Sequence, residues 1–257
     1  MRSQRLLGKV CIITGSGTGI GRAESILFAA EGAKIIVADT NEESGLETVK
    51  IIENENGEAA FFQVDITKLE EVRALIDFCV KKYGKLNILV NNAGISLHGK
   101  GDTIITETPE EVFDKVINID LKGSFLCCKY AIQQMLKNGG GTIVNTGSVA
   151  ATRGRAVTSY GIAKAGILAL TRSIAVSYAT DNIRCNTLSP GSVFTDLARA
   201  TYKTPEAMNA RVGKIPMKRY SQPEEQAYAA LFLASDESSF MTGENMIVDG
   251  GELAGFK

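Results

Sequence analysis

Seven short runs rich in valine and isoleucine, each too short to be a helix, recur along this chain and constrain its architecture more than any other feature. They lie at 10–14, 35–38, 61–64, 88–90, 142–145, 183–188 and 246–248. Between them the apolar residues recur at helical spacing, at 20–31, 42–54, 69–83, 109–137, 159–179 and 224–234. A strand with one wet face would alternate apolar and polar positions. A continuously apolar strand instead suits a parallel sheet covered on both faces. The pattern predicts an α/β fold, a single doubly wound parallel sheet with helices on both faces.

No repeat, low-complexity tract or linker divides the 257 residues, so the whole chain, 1–257, is read as one domain. One stretch, 192–218, lacks strand character and is either a lid or a disordered insert. Its scattered apolar residues Val193, Phe194, Leu197, Tyr202, Met208, Val212, Ile215 and Met217 favour a lid over a ligand. With 44% hydrophobic and 22% charged residues, the chain has ample material for a core. Its net charge of −1 supplies no field for a phosphate backbone or an anionic membrane, which points to small molecules rather than nucleic acid.

No signal-peptide core follows Met1, and no apolar run reaches membrane-spanning length. The five cysteines, at 11, 79, 127, 128 and 185, have no metal-like spacing, and their odd number leaves at least one thiol unpaired. A cytoplasmic location is the expectation. His98 is the only histidine, so no metal site is expected.

After the first apolar run comes Thr14-Gly15-Ser16-Gly17-Thr18-Gly19-Ile20-Gly21, then a helix. Glycines in this place let the backbone bend sharply and let a pyrophosphate approach the helix N-terminus, where free N–H groups and the dipole favour an anion. The second run ends at Asp39, roughly 20 residues on, where a Rossmann-type dinucleotide fold sets an acid against the adenosine ribose. Asp39 is equally suited to capping the following helix. Asp65 and Ile66 end the third run and would border the adenine. Asn91, Asn92, Ala93 and Gly94 end the fourth, with small residues where a backbone can approach a ligand.

The fifth run leads through Thr146 and Gly147 to Ser148, and the next helix carries Tyr160 and Lys164, four residues apart on one face. A neighbouring ammonium favours phenolate over phenol, so the pair is a candidate acid/base unit. Taken alone, the same spacing also describes an aromatic ring packed on a lysine stem.

With these residues in order, the chain resembles the short-chain dehydrogenase/reductase family over nearly its whole length. Thr14 to Gly21 matches the family's T-G-x-x-x-G-x-G, and Asn91 to Gly94 its N-N-A-G. Asn118 stands where the family has its active-site asparagine. Ser148, Tyr160 and Lys164 match its catalytic set, while Pro190, Gly191 and Thr195, with Val193 between them, match the segment that holds the nicotinamide carboxamide. The resemblance implies hydride transfer between NAD(H) and a secondary alcohol or ketone. Gly15, Thr18, Gly19, Ile20, Asp39, Asp65, Ile66, Asn92, Ala93 and Gly94 would contact the cofactor, as would Tyr160 and Lys164. Ser148 would bond the substrate oxygen, Tyr160 would exchange its proton, Lys164 would hold the ribose, and Asn118 would anchor a water leading to solvent.

Asp39, followed by Thr40 rather than arginine, implies NAD rather than NADP, and Arg22 is expected to face away from the ribose. The resemblance also implies a homotetramer built on the helices at 109–137 and 159–179. One departure is visible: Ser148 precedes Tyr160 by 12 positions, about one fewer than in many members, which shortens the loop beside Arg153 and Arg155. Two other functions compete. An NAD(H)-sensing regulator would not need the Ser-Tyr-Lys set, and an enoyl-thioester reductase would carry a wider tyrosine-to-lysine spacing. The substrate is left open.

Overall fold

The apolar runs pair side by side, as their composition requires. A computed structural model describes residues 4–154 and 157–255. Among these, seven parallel strands form one sheet: β1 (Val10–Thr14), β2 (Lys34–Asp39), β3 (Glu58–Gln63), β4 (Ile88–Asn91), β5 (Gly141–Thr146), β6 (Ile183–Pro190) and β7 (Asn245–Val248). Their spatial order is β3-β2-β1-β4-β5-β6-β7. The order reverses between β1 and β4, which opens a crevice at the C-terminal strand ends where such folds bind ligands.

Around the sheet lie α1 (Gly19–Ala30), α2 (Glu42–Asn54), α3 (Leu69–Tyr83), α4 (Glu110–Val116), α5 (Ser124–Lys137), α6 (Thr158–Tyr178), α7 (Asp196–Thr201), α8 (Pro205–Gly213) and α9 (Pro223–Ala234). Successive strand residues point to opposite faces, so β1 feeds two cores. Val10 and Ile12 join Leu75, Leu126 and Ile174 from α3, α5 and α6 on one face. Cys11 and Ile13 join Phe28, Ile52 and Leu231 from α1, α2 and α9 on the other. All five cysteines are free and buried, and burial pushes their thiols up, which makes them core residues rather than redox groups.

Three sequence expectations change. Strand β3 starts three residues before the predicted 61–64, because it is an edge strand paired only with β2 and its Glu58 and Gln63 are exposed. The helix predicted at 109–137 is interrupted by a π-helical turn, Ile117–Gly123, between α4 and α5. Gly123 sits against Ile66 there, where a Cβ would come within 2.7 Å of the isoleucine side chain. Finally, 192–218 holds two short helices. Thr195 caps α7 by accepting from Ala198 N–H, and Thr204 caps α8 by accepting from Ala207 N–H, with Pro205 in its first turn. Helices of six and nine residues are too short to declare a period.

Against the expectation that no apolar run reaches membrane-spanning length, helix α6 with its short extension, Thr158–Asp181, is long and apolar enough by composition to cross a bilayer. Its inner face nevertheless buries Lys164 and Thr171, which bond Thr146 of β5 and Thr187 of β6, so it is the core helix of the domain. Phe125 on α5 and Ile162 and Val176 on α6, the helices expected at a subunit interface, are exposed.

One group is placed at a cost. Glu24 on α1 is fully buried, and among the described residues neither carboxyl oxygen has a hydrogen-bond partner. Burial pushes its pKa up to about 8. In the unfolded chain the same carboxyl titrates near about 4.3. Stability is therefore fully present below that value, declines as pH rises towards about 8, and is level beyond it. Glu24→Gln removes the loss: it is expected to raise Tm by about 5 °C at alkaline pH and by much less at about pH 5. Equal gains in scanning calorimetry at both pH values would show that Glu24 is not held protonated.

Candidate active site

The turn between β1 and α1 forms the first wall of the crevice. Gly15 and Gly19 have φ of +64° and +58°, a backbone that side chains disfavour. At Gly15 a Cβ would stand 2.7 Å from the Ala93 Cα, so only glycine lets the turn rest on the segment after β4. Thr18 precedes α1 in extended conformation, and its side chain makes no capping bond among the described residues. Helices α2, α3 and α4 each open with two glutamates, whereas the first turn of α1 carries no acid. The positive end of α1 is thus left for an anion from outside the chain.

A cavity of about 350 Å³ runs from this turn over the strand ends. Its walls include Gly15, Thr18, Gly19, Ile20, Asp39, Asp65, Ile66, Asn92, Ala93, Gly94 and Thr195, all expected cofactor contacts. Asp39 accepts from Gly17 N–H at 2.8 Å and from Asn41 N–H at 2.9 Å, which fixes its carboxylate at the rim. Arg22 turns away: its Nε donates to Gly17 O at 2.8 Å and its Nη2 to Glu47 at 2.6 Å on α2. Asp65 is partly engaged by the Thr67 hydroxyl at 2.7 Å. A nicotinamide dinucleotide fits this donor set: an acid-free helix start, a glycine floor and a fixed carboxylate at the rim.

The cavity continues into a second lobe of about 590 Å³, sharing Ile20, Asn92, Gly94, Thr195 and Leu197 with the first. Pro190, Gly191 and Val193 line this lobe, as do Ser148, Tyr160 and Lys164. Ser148 follows β5 and its Oγ accepts from Ala150 N–H at 3.1 Å. Tyr160 lies in the first turn of α6, held there from a distant loop: Asp102 accepts from Ser159 N–H at 2.9 Å and Tyr160 N–H at 3.0 Å. Lys164, one turn further on, donates to Thr146 O at 3.0 Å, with its Nζ 5.6 Å from the Tyr160 ring centroid.

The expected asparagine is not where the resemblance puts it. Asn118 does not line either lobe; Asp120, two residues on, does, and its Oδ2 stands 3.4 Å from Lys164 Nζ. Two residues along a helix turn the side chain to roughly the opposite face. Asp120 is fully buried, and its Oδ1 accepts from Ile95 N–H at 2.8 Å. Burial pushes its carboxyl up, against the pull of Lys164. Burial draws the Lys164 ammonium down, and facing Asp120 more than offsets this, so Lys164 stands above the ordinary lysine value.

The far end of the second lobe is built by α8 and its neighbours. Arg211 donates to Ser192 Oγ at 2.7 Å, and both Arg211 and Arg153 bond the buried Glu252. His98, Tyr202, Lys214 and Tyr220 complete this end, while Arg155 lies outside the described residues. Asp102, Asp120 and Glu252 were invisible to pattern reasoning. Each is placed by contacts far along the chain, and no local spacing marks an acid that caps a helix 57 residues away.

Comparison with known proteins places the chain among its relatives. A family model described as Enoyl-(Acyl carrier protein) reductase matches residues 15–252. An "uncharacterized oxidoreductase" of Thermotoga maritima is 44% identical over 254 residues, spanning 96% of this chain and 98% of that one. The 3-oxoacyl-[acyl-carrier-protein] reductase of the same organism is 40% identical over 249 residues, spanning 96% and 98%. A solved short-chain type dehydrogenase/reductase from Mycobacterium marinum superposes with a TM-score of 0.92 at 31% identity, covering 98% of this chain and 99% of that one. The fold is that of a family of oxidoreductases that use nicotinamide cofactors. The chain belongs to the short-chain dehydrogenase/reductase family.

Asp102 gives the site a test of its own. Asp102→Ala removes the acceptor for two N–H groups at the start of α6 and is expected to cost about 1–2 kcal/mol in urea unfolding. It should also lower turnover, since Tyr160 loses its anchor. Asp102→Asn, which keeps one acceptor but turns an NH2 towards the other N–H, should recover only part of both losses. An unchanged unfolding midpoint in the alanine variant would remove Asp102 from this role.

Proposed function

We propose that the protein is an NAD(H)-dependent dehydrogenase/reductase that interconverts a secondary alcohol and a ketone. The observation that carries this reading is that Ser148, Tyr160 and Lys164 border one lobe of a cavity whose other lobe has the features of a dinucleotide site. The nicotinamide, when bound, supplies or accepts the hydride.

The chain's own groups manage the oxygen. Ser148 Oγ already accepts from Ala150 N–H, so its single proton is available to a substrate oxygen. Tyr160 gives its phenolic proton to that oxygen in reduction and takes it back in oxidation. Lys164 places an ammonium beside the ring, where it stabilises the phenolate formed as the proton leaves. Two hydroxyls directed to one oxygen serve a carbonyl, whose oxygen gains charge as hydride arrives. Reduction of an enoyl thioester, the reaction in the matching family model's description, also develops charge on an oxygen, that of the thioester carbonyl; the four-residue spacing of Tyr160 and Lys164, narrower than such a reductase would carry, argues against it. A cofactor sensor would have no use for the Ser-Tyr-Lys set.

The choice of NAD follows from charge. Asp39 is fixed at the crevice rim by two backbone N–H groups, ready to accept from ribose hydroxyls. A 2′-phosphate there would meet like charge, and Arg22, the nearest candidate to neutralise it, is committed to Gly17 and Glu47.

Two outcomes are expected. Tyr160→Phe should lower kcat by about 10²- to 10⁴-fold while leaving NAD affinity and Tm nearly unchanged; activity within about tenfold of wild type would assign the proton transfer to another group. In side-by-side assays at equal ionic strength, NAD(H) should exceed NADP(H) by at least about tenfold in kcat/KM, and Asp39→Ser should relax the preference mainly through KM for NADP(H). Equal use of both cofactors by the wild type would remove Asp39 from the ribose site.

A further inference from the structure

Lys164 is a cation with almost no solvent: its side chain is 4% exposed, and the Asp120 side chain facing it is 0% exposed. A buried ammonium is costly unless a charge or several acceptors offset it. Thr146 O is one acceptor, at 3.0 Å, and the Asp120 carboxylate is the only ion-pair partner of Lys164 among the described residues. The π-helical turn Ile117–Gly123 aims Asp120 inwards, and the Ile95 N–H pins Oδ1, leaving Oδ2 for the ammonium. A neutral amide in this place could accept from the Ile95 N–H, but would turn its NH2 towards the ammonium. It would not balance charge.

We propose that Asp120 is a charged counter-ion that positions Lys164 and sets the pH window in which the site works. The pairing itself stands on the geometry alone. Its effect on the pH window rests on the proposed role of Tyr160 as acid and base.

The groups around the pair limit what else sets that window. From α6 come Tyr160 and Lys164; the segment after β4 contributes the Ile95 N–H and the uncharged Gly94. Farther along the same lobe stand His98 and Tyr202, then Lys214 and Arg211, the last already on Glu252. No other carboxylate among the described residues pairs with Lys164. Loss of the Asp120 negative charge makes any neighbouring proton easier to remove. Proton loss from Tyr160, which opens the window in alcohol oxidation, then comes at lower pH. Proton loss from Lys164, which closes it, does too. Both limbs move in the same direction.

Two measurements test this. In the pH profile of kcat/KM for alcohol oxidation, Asp120→Asn should shift the whole window to lower pH by about one unit, because asparagine keeps the shape and the Ile95 bond but not the charge. A lowered profile that stays in place would mean that Asp120 acts only as packing or as a neutral carboxyl, and would overturn the proposal. The second measurement needs no activity. In the cofactor-free protein at about pH 8, Lys164→Met strands a buried carboxylate and should lower Tm by about 5 °C or more. The double variant Asp120→Asn/Lys164→Met should recover more than half of that loss. A double variant no more stable than Lys164→Met alone would show that no charged pair exists. Recovery of Tm in a protein without dehydrogenase activity would keep the pair and reject the reaction instead.

Discussion

The side-chain hydrogen bond from Asn91 to Asn145, 2.8 Å long at the ends of β4 and β5, marks where this molecule stops being core and becomes site. A sheet covered on both faces has no water to satisfy polar side chains, so any that lie within it must satisfy one another. Here most do so in a layer, Asn91 Oδ1 being an exception among the described residues. Asn145 donates on to Thr171 of α6 at 2.9 Å, and Thr187 of β6 donates to the same hydroxyl at 2.8 Å. Thr14, at the end of β1, accepts from the N–H groups of Asn92 and Ala93 at 3.2 Å. This layer locks β1, β4, β5, β6 and α6 in register. The loops above it inherit fixed starting points, which is what a reaction needing sub-ångström placement requires.

How much of this was legible depends on how local the cause was. The central strands were read nearly as they stand, because burial on both faces writes itself into four or five consecutive residues. Strand β3 was displaced by several residues, since an edge strand with one partner tolerates Glu58 and Gln63 at its ends. The glycine turn and Asp39 were readable because backbone conformation and spacing create them. Asp120 was not. The apolar period around 109–137 continues through the π-helical turn, so nothing in the pattern shows that the helix changes phase there and presents Asp120 rather than Asn118 to the cavity. Asp102 acts on α6 from 57 residues away, and a loop aspartate carries no sign of that.

Charge in the molecule is distributed by the same logic. The starts of α2, α3 and α4 receive acids, Glu42 and Glu43, Glu70 and Glu71, and Glu110 and Glu111. The start of α1 is left without one. Arg22, the cation nearest that start, is drawn aside by Glu47. The crevice therefore keeps a positive helix end and a negative rim at Asp39, the contrast on which the proposed NAD(H) reading rests.

The two lobes of the cavity are also not independent. Gly94 belongs to the walls of both. A Cβ on it would stand 2.9 Å from Asp120 Oδ2 and 3.2 Å from Lys164 Nζ, inside normal contact with each partner of the ion pair. Any side chain at position 94 must push the carboxylate and the ammonium apart or lift the loop away from the floor of the crevice. The glycine of the Asn-Asn-Ala-Gly segment is thus required by the charges beneath it as much as by a ligand above it. Through this one residue, the wall shared by the two lobes and the ion pair beneath it are tied together.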